Sequence, residues 1–177
     1  MQDEESLVRR AQEQDQAALT GIYEANFDRI YRYIALKIGD RTEAEDMTQQ
    51  VFLSAFKSIS SYKHRGTPFS AWLFRIAHNQ VVDYLRKKSK RATVPLEKVP
   101  ERGGGDPRLE VEQSLTMEEL ASATSKLTPA QREVLSLRFA GGLSVAQVAK
   151  VMGKSEGAIK ALQHSAIVSL RKILAAG

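Results

Sequence analysis

The sequence contains no cysteine among its 177 residues. Disulfide bonds and thiolate metal sites are therefore excluded, and the composition fits a reducing compartment such as the cytoplasm. Long apolar runs are missing too: no stretch approaches the roughly 20 residues that a membrane-spanning helix needs. The acidic start MQDEESLVRR is unlike a signal peptide. We expect a cytoplasmic protein with no membrane span.

Catalytic and cofactor motifs are also missing. The histidines, His64, His78 and His164, are scattered, no HExxH motif occurs, and GGGDP is not followed by the Gly-Lys-Ser/Thr of a phosphate-binding loop. Glu118 and Glu119 are adjacent in sequence and would project in different directions from a helix. We therefore expect no enzyme activity, no catalytic residues, no metal site and no cofactor.

Positive charge is concentrated in one central block. Residues 1–56 carry 6 Lys/Arg against 11 Asp/Glu, whereas residues 57–91 carry 9 against 1, and residues 92–177 carry 11 against 9. Such a block is the electrostatic footprint of a protein that binds a polyanion. A solvated helix face would give the same pattern, so charge alone leaves both interpretations open.

Proline and glycine divide the chain into two parts. The segment ATVPLEKVPERGGGDP, residues 92–107, has three prolines, a glycine triplet and little apolar periodicity. Its residues could reach on the order of 50 Å when extended, enough to hold two domains apart. We predict a first domain over 1–91, a flexible linker over 92–112 and a second domain over 113–177.

Helical periodicity on both sides of this linker predicts an all-α fold with two small helical domains. Early helices are expected over 7–14, 17–25 and 27–38, and Thr42 with Glu45 matches a capping box at the start of the next. The apolar stripe of that helix comprises Ala44, Met47, Val51, Ala55 and Ile59, widened by Phe52 and Phe56. The first domain is thus predicted to be a helical bundle.

The stretch FSAWLFRIAHNQVVDYLRKKSKR, residues 69–91, combines three kinds of surface. Thr67 and Pro68 predict the start of its helix. Its buried stripe comprises Phe69, Trp72, Leu73, Ile76, Ala77, Val81 and Leu85. A polar track at four-residue steps comprises Arg75, Asn79, Asp83 and Lys87, and it leads into the basic end of the helix. Core packing does not require this track, which indicates a function.

The second half has the pattern of a helix-turn-helix. Its helix starts are marked by Thr128-Pro129 with Gln131, by Ser144 with Gln147, and by Ser155. A short helix, a turn around Gly153 and a longer helix follow, as in proteins whose second helix lies in the DNA major groove. The predicted contact joins Val145, Val148, Ala149 and Met152 to Ile159, Leu162, Ala166 and Leu170. Any helical hairpin with a glycine turn shares part of this pattern.

The polar face of the longer helix offers groups that suit DNA. Glu156 can accept from cytosine, Lys160 can donate to guanine, and Gln163 can pair with adenine. His164 can contact phosphate, and only the first turns of such a helix reach base edges.

Three motifs together resemble those of bacterial extracytoplasmic-function (ECF) sigma factors, the sigma-70 type that retains only regions 2 and 4. They are DRTEAEDMTQQVFLSAFKSI, the stretch 69–91 and LTPAQREVLSLRFAGGLSVAQVAKVMGKSEGAIKALQHSAIVSLRKIL, matching in kind, order and spacing over about residues 19–174. The resemblance implies a factor that binds core RNA polymerase, directs it to promoters and assists promoter melting. Region 2 would bind polymerase and the minus-ten element, and region 4 the minus-thirty-five element.

The resemblance also assigns roles to residues. The pattern D-x-x-Q-x-x-F, here Asp46, Gln49 and Phe52, implies binding to the clamp helices of the beta-prime subunit, and region 4 would contact the beta flap. Leu53, an apolar residue ringed by polar ones, suits the same partner helix.

The minus-ten residues lie in a loop and on the following helix. The loop SSYKHRGTP resembles the one that receives a flipped-out base, with Tyr62, Lys63, His64 and Arg65 supplying stacking and hydrogen bonds, although Tyr62 could instead be a core residue. Asn79 and Asp83 would face the opened strand. Phosphate contacts are expected from Arg75, Arg86, Lys87 and Lys88.

The minus-thirty-five set comprises Ser155, Glu156, Lys160, Gln163 and His164. This helix departs from the family pattern where arginine is frequent, at Leu162, Ser165, Ile167 and Ser169. Fewer phosphate contacts imply weaker duplex binding with a shallower salt dependence.

One further partner, a role for the linker and one rival interpretation complete the predictions. Factors of this group are commonly held inactive by an anti-sigma protein, and their linker threads the polymerase cleft, although a plain tether fits the linker composition equally well. The rival is a conventional dimeric helix-turn-helix regulator that never touches polymerase. Such a regulator needs neither the stretch 69–91 nor the Asp46 motif.

Overall fold

The structure is a computed structural model, and it describes residues 3–64, 66–91 and 116–176. Within these ranges the regular structure is entirely helical, which confirms the all-α prediction. The α-helices are α1 (Glu4–Gln12), α2 (Gln16–Ile38), α3 (Arg41–Ser58), α4 (Phe69–Arg91), α5 (Met117–Thr124), α6 (Pro129–Leu135), α7 (Val145–Met152) and α8 (Glu156–Ala176). A 3-10 turn, Ile59–Ser61, follows α3, and a π-helical turn, Ser136–Ala140, continues α6.

Helix α2 is one continuous helix where the sequence predicted two. Asn26, which separates the two predicted segments, is buried, and its side-chain amide donates to the carbonyl oxygen of Ile22 at 2.8 Å. The helix begins after Asp15, whose carboxylate accepts from two backbone amides, and ends at Gly39, whose φ of 75° is left-handed.

The predicted start of α3 is wrong by two residues. Asp40 is the N-cap, because its carboxylate accepts from the backbone amide of Glu43 at 3.1 Å. Thr42 and Glu45 therefore lie inside the helix and do not form the predicted capping box. Aspartate is at least as good an N-cap as threonine, so the earlier residue takes the position.

Helix α4, in contrast, begins later than predicted. Its first residue is Phe69, so Pro68 immediately precedes the helix and Thr67 is not its N-cap. The backbone carbonyl of Thr67 instead accepts a hydrogen bond from the hydroxyl of Tyr62 at 2.7 Å. This bond ties the loop before α4 to the helix start.

The helix starts of the second half are confirmed. Thr128 with Gln131, and Ser144 with Gln147, form complete capping boxes, and Ser155 accepts from an amide of the first turn of α8. The helix-turn-helix is α7, a turn at the left-handed Gly153, and α8. Only the first part of α8 packs on α7, since Ala166 and Leu170 join Leu127 and Leu135 in a separate cluster.

The two halves of the chain share one hydrophobic core. Tyr33 and Phe74 from the first half lie in the same buried cluster as Leu137, Leu143 and Val148 from the second. Helix α2 packs on α5 and on the π-helical turn, while α4 packs on α7. In this structure the halves are therefore in contact, although the segment between them is long enough to separate them. None of the helices described is both long and apolar enough to span a bilayer.

Candidate nucleic-acid interface

An exposed patch on α3 carries three of the four residues predicted to bind polymerase. Asp46 and Gln49 are exposed, and Leu53 is a large apolar side chain with 54% of its surface open to solvent. The amide of Gln49 donates to the hydroxyl of Tyr23 on α2 at 2.9 Å, which holds that side chain in place. The patch thus combines one apolar anchor with polar neighbours, as partner-binding surfaces do.

The fourth residue, Phe52, lies beneath this patch. It is 2% exposed, and its ring centroid lies 4.9 Å from that of Tyr23. Phe27 and Phe56 complete the aromatic group around it. The sequence placed Phe52 in the contact set, but its burial makes it a support for the surface and not a part of that surface.

The loop before α4 is organised by Tyr62, which is 6% exposed. Its ring centroid lies 5.4 Å from those of Phe69 and Trp72, and burial raises its pKa. Tyr62 is therefore the core residue that the sequence allowed as an alternative to a base-stacking platform. Lys63 and His64 are exposed, with the His64 ring 3.0 Å from the Tyr62 hydroxyl, and Arg65 lies outside the described residues.

A shallow cavity of about 370 Å³ lies beside this loop and α1. Its lining includes Glu4 and Glu5 from α1 together with His64 and Phe69. Arg9 and Gln12 also line it, and Arg9 pairs with Glu5 at 3.3 Å, so the lining combines acidic, basic and aromatic groups.

The polar track on α4 differs from residue to residue in exposure and in contacts. Asn79 is exposed, as are the cations at the end of the helix. Asp83 forms intrahelical ion pairs with Lys87, at 3.1 Å, and with Arg86. Hydrogen bonds from Lys87 and then Arg86 lower the pKa of the Asp83 carboxyl. Arg75 is engaged elsewhere, because its guanidinium donates to the carbonyl of Lys150 and, at 3.3 Å, to that of Val151 in α7.

The DNA-facing side chains predicted on α8 lie around its first turns. Ser155 caps the helix, and Glu156, Lys160 and His164 are exposed. Gln163 is half-buried, and its side-chain oxygen accepts from Arg138 at 2.9 Å. Bidentate pairing of Gln163 with adenine would use this same oxygen as the acceptor.

A buried polar cluster between the halves was missed by the sequence reasoning. We call it the Glu133 cluster: the carboxylate of Glu133 accepts from Lys37 and from the hydroxyl of Tyr33, both at 2.5 Å, and lies 3.3 Å from the His78 ring. The one available signal was Lys37 itself, a lone charge in the apolar run from Tyr33 to Ile38. No short-range pattern pointed to its partner 96 residues away.

Comparison with known proteins gives two matches to family models. Residues 22–91 match sigma-70 region 2, and residues 123–172 match sigma-70 region 4. The chain is 39% identical over 170 residues to the ECF RNA polymerase sigma factor BldN of Streptomyces coelicolor, with 95% of this chain and 64% of that protein aligned. The chain thus spans slightly less than two thirds of that relative.

A second relative matches over more of its length. The ECF RNA polymerase sigma factor SigD of Mycobacterium bovis is 33% identical, covering 98% of this chain and 85% of SigD. Among solved structures, CnrH in complex with the cytosolic domain of CnrY aligns with a TM-score of 0.68 and 26% identity over 96% of both chains.

Proposed function

Because this chain belongs to the ECF sigma factors of the sigma-70 family, we propose that it binds core RNA polymerase, directs it to specific promoters and assists their melting. The observation that carries the proposal is that the exposed α3 patch and the polar track of α4, which includes Asn79, occur on one helical bundle in the first half of the chain. A conventional helix-turn-helix regulator needs neither, and the comparisons do not favour that alternative.

Polymerase binding rests on Asp46, Gln49 and Leu53. Leu53 offers apolar area to a partner helix, and the two polar groups around it fix the orientation of that helix. Binding of the full chain to core RNA polymerase tests this, with Asp46→Ala and Leu53→Ala compared to Glu45→Ala. Glu45 is an exposed acid next to Asp46, so its variant makes the same change in charge without altering a residue of the predicted contact set.

We expect Asp46→Ala and Leu53→Ala each to weaken the complex by about tenfold or more, and Glu45→Ala to leave it within about twofold. Equal binding by all four proteins would reject the α3 patch. Absence of any complex between the unaltered chain and a cognate core enzyme would reject the proposed function itself.

Promoter melting rests on Asn79 and the basic end of α4. An exposed amide can donate to and accept from an unpaired base, while the cations after it neutralise phosphates. We expect Asn79→Ala to reduce open-complex formation by about tenfold while polymerase binding is kept. The control is Gln80→Ala, because Gln80 faces α3 and donates to Ser54 at 2.9 Å.

Recognition of the minus-thirty-five element is proposed for the first turns of α8. Lys160 and Glu156 are exposed there, and Ser155 holds the helix start. Lys160→Ala should weaken holoenzyme binding to upstream duplex, with a smaller salt dependence. Unchanged binding would remove Lys160 from the contact set.

Four further points follow from the proposal. The chain acts in the cytoplasm, where polymerase acts, and contributes no catalysis because polymerase performs the chemistry. The small cavity beside His64 and Phe69 receives a flipped-out base of the minus-ten element. An anti-sigma protein holds the factor inactive by covering surfaces of both halves, a proposal supported by the similar CnrH, solved with the cytosolic domain of CnrY.

A further inference from the structure

Several hydrogen bonds between the two halves run from arginines to backbone carbonyls. Arg29 on α2 donates to the carbonyl of Gly141 at 2.9 Å, and Arg32 donates to that of Ala140 at 3.4 Å. In the opposite direction, Arg132 on α6 donates to the carbonyl of Lys37. Arg75 donates to the last turn of α7. The first half therefore holds the second by specific hydrogen bonds in addition to shared apolar surface.

A chain in this closed arrangement is too small to reach both promoter elements. The elements are named for positions about 25 base pairs apart, which is about 85 Å along B-form DNA. A compact protein of this length has a radius of gyration of about 16 Å, or a diameter of about 40 Å. The 24 residues between Arg91 and Thr116 could extend to about 80 Å. Binding of both elements therefore requires the halves to separate.

Separation must expose the Glu133 cluster. Glu133, Lys37 and Tyr33 are 5%, 7% and 0% exposed, so their charges and hydroxyl are withdrawn from water in the closed form. Glu133 belongs to the second half, whereas Tyr33, Lys37 and His78 belong to the first. Every hydrogen bond or ion pair between side chains of this cluster that crosses the interface ends on the one carboxylate.

We propose that the Glu133 cluster is an intramolecular latch that keeps the free chain closed and unable to bind promoter DNA until polymerase separates its halves. This inference rests on the proposed function, since it assumes that both halves must reach DNA. Loss of the carboxylate leaves a buried lysine without its counter-charge, a change that penalises only the closed form because the open form returns Lys37 to water. The closed form should therefore lose most of its advantage.

The closed arrangement also keeps one residue of the predicted minus-ten set from contacting DNA. Arg75 lies four residues before Asn79 on the same face of α4, yet its guanidinium is used on the carbonyls of Lys150 and Val151. Opening frees this cation for a phosphate next to the bases that Asn79 would contact. The same movement thus releases the second half and completes the basic track.

The first test is small-angle X-ray scattering of the full chain without polymerase. The wild type should have a radius of gyration of about 16 Å, and Glu133→Gln should move toward about 25 Å, the value for two halves joined by a coil of this length. This corresponds to a fall of about 100-fold or more in the ratio of closed to open chain. Glu24→Gln, which removes an exposed carboxylate from α2, should stay near the wild-type value.

A disulfide clamp provides the second test. A Cβ placed on Gly39 would lie 3.6 Å from the Cβ of Ala121, within the range of disulfides, and the sequence has no other cysteine. The double variant Gly39→Cys, Ala121→Cys therefore joins α2 to α5 when oxidised. Because Gly39 is left-handed, the reduced double variant is the control for strain. The same oxidant on the cysteine-free wild type is the second control.

When the oxidised clamp is combined with Glu133→Gln, the chain should return to a radius of gyration of about 16 Å. This result is expected even if Glu133→Gln alone also disturbs the packing inside each half. With core polymerase, the oxidised clamp should form open complexes at least about tenfold less well than the reduced one.

Two results would overturn the latch: a Glu133→Gln chain as compact as wild type, or an oxidised clamp as active as its reduced form. Both differ from failure of the proposed function, in which the unaltered chain does not bind core polymerase at all.

Discussion

Lowering the pH should weaken the closed structure through one carboxylate, Glu133. Burial raises the pKa of this carboxyl, but hydrogen bonds from His78, Lys37 and Tyr33 and the charge of Lys37 outweigh burial and lower the pKa from 4.5 to about 2. Arg132, whose charge also interacts with Glu133, adds a further positive neighbour. Because the folded pKa is the lower one, the stabilisation is full above about pH 5 and is lost as the pH falls from 4.5 toward 2.

The magnitude follows from the two pKa values. The complete shift corresponds to about 3 kcal/mol of stability, and the part lost between pH 6 and pH 3.5 is about 1.4 kcal/mol. Glutamine cannot titrate, so the difference in unfolding free energy between wild type and Glu133→Gln should shrink by that amount. Carboxylates whose surroundings the substitution leaves unchanged affect both proteins equally and cancel in the difference.

Urea unfolding followed by circular dichroism at the two pH values measures this difference. The matched control is Glu24→Gln, whose curves should parallel those of the wild type at both pH values. A difference between wild type and Glu133→Gln that stays constant from pH 6 to pH 3.5 would refute the reasoning, because Glu133 would then not titrate differently in the folded chain.

Three further changes are expected to separate structural from surface roles. Gly141→Ala should destabilise the closed form by about 1–3 kcal/mol, because an added Cβ would lie 2.7 Å from an aromatic ring carbon of α4; thermal unfolding that matches wild type would contradict this. Phe52→Ala should cost about 3–5 kcal/mol of unfolding free energy as a core truncation, whereas the exposed Leu53→Ala should change it by less than about 0.5 kcal/mol. Comparable losses from both would place Leu53 in the core. Thr128→Ala should cost about 1 kcal/mol as a lost N-cap and Thr42→Ala much less; the reverse order in urea unfolding would restore the cap predicted at Thr42.

Local features of the fold could be predicted from the sequence because their causes are local. The capping boxes at Thr128 and Ser144 use groups three residues apart, and the left-handed Gly153 ends α7 as its position predicts. The errors in the predicted helix boundaries also have local causes, because neighbouring residues competed for the same position. Asp40 displaced Thr42 as N-cap, and Asn26, which favours turns in isolation, was accepted inside α2 because its amide bonds back to the previous turn.

For the candidate site, the sequence predicted the exposure of several residues correctly but missed the burial of others. Asp46, Asn79 and Lys160 are exposed as expected for binding residues. Phe52 and Tyr62 are buried, since their large rings gain more from the core than from solvent. The predicted residues do not form one site: those of α3 and α4 share a bundle, and those of α8 belong to the other half.

The interface between the halves could not be predicted, because its contacts join residues about a hundred positions apart. The hydroxyl of Tyr33 meets Glu133 across 100 residues, and Arg29 meets Gly141 across 112. Periodicity predicts which face of a helix is buried and says nothing about what covers it. The sequence therefore predicted a DNA contact for Arg75, a polar residue of this interface, and gave no role to Glu133.

The arginine-to-carbonyl bonds have an evolutionary consequence. A carbonyl oxygen is present whatever side chain its residue carries, so a donor such as Arg75 constrains the path of the α7 backbone and not the residues along it. Substitutions in the helix-turn-helix can then accumulate while the two halves still fit each other. The exposed surface of the helix-turn-helix can therefore change without a matching change in the contact between the two halves.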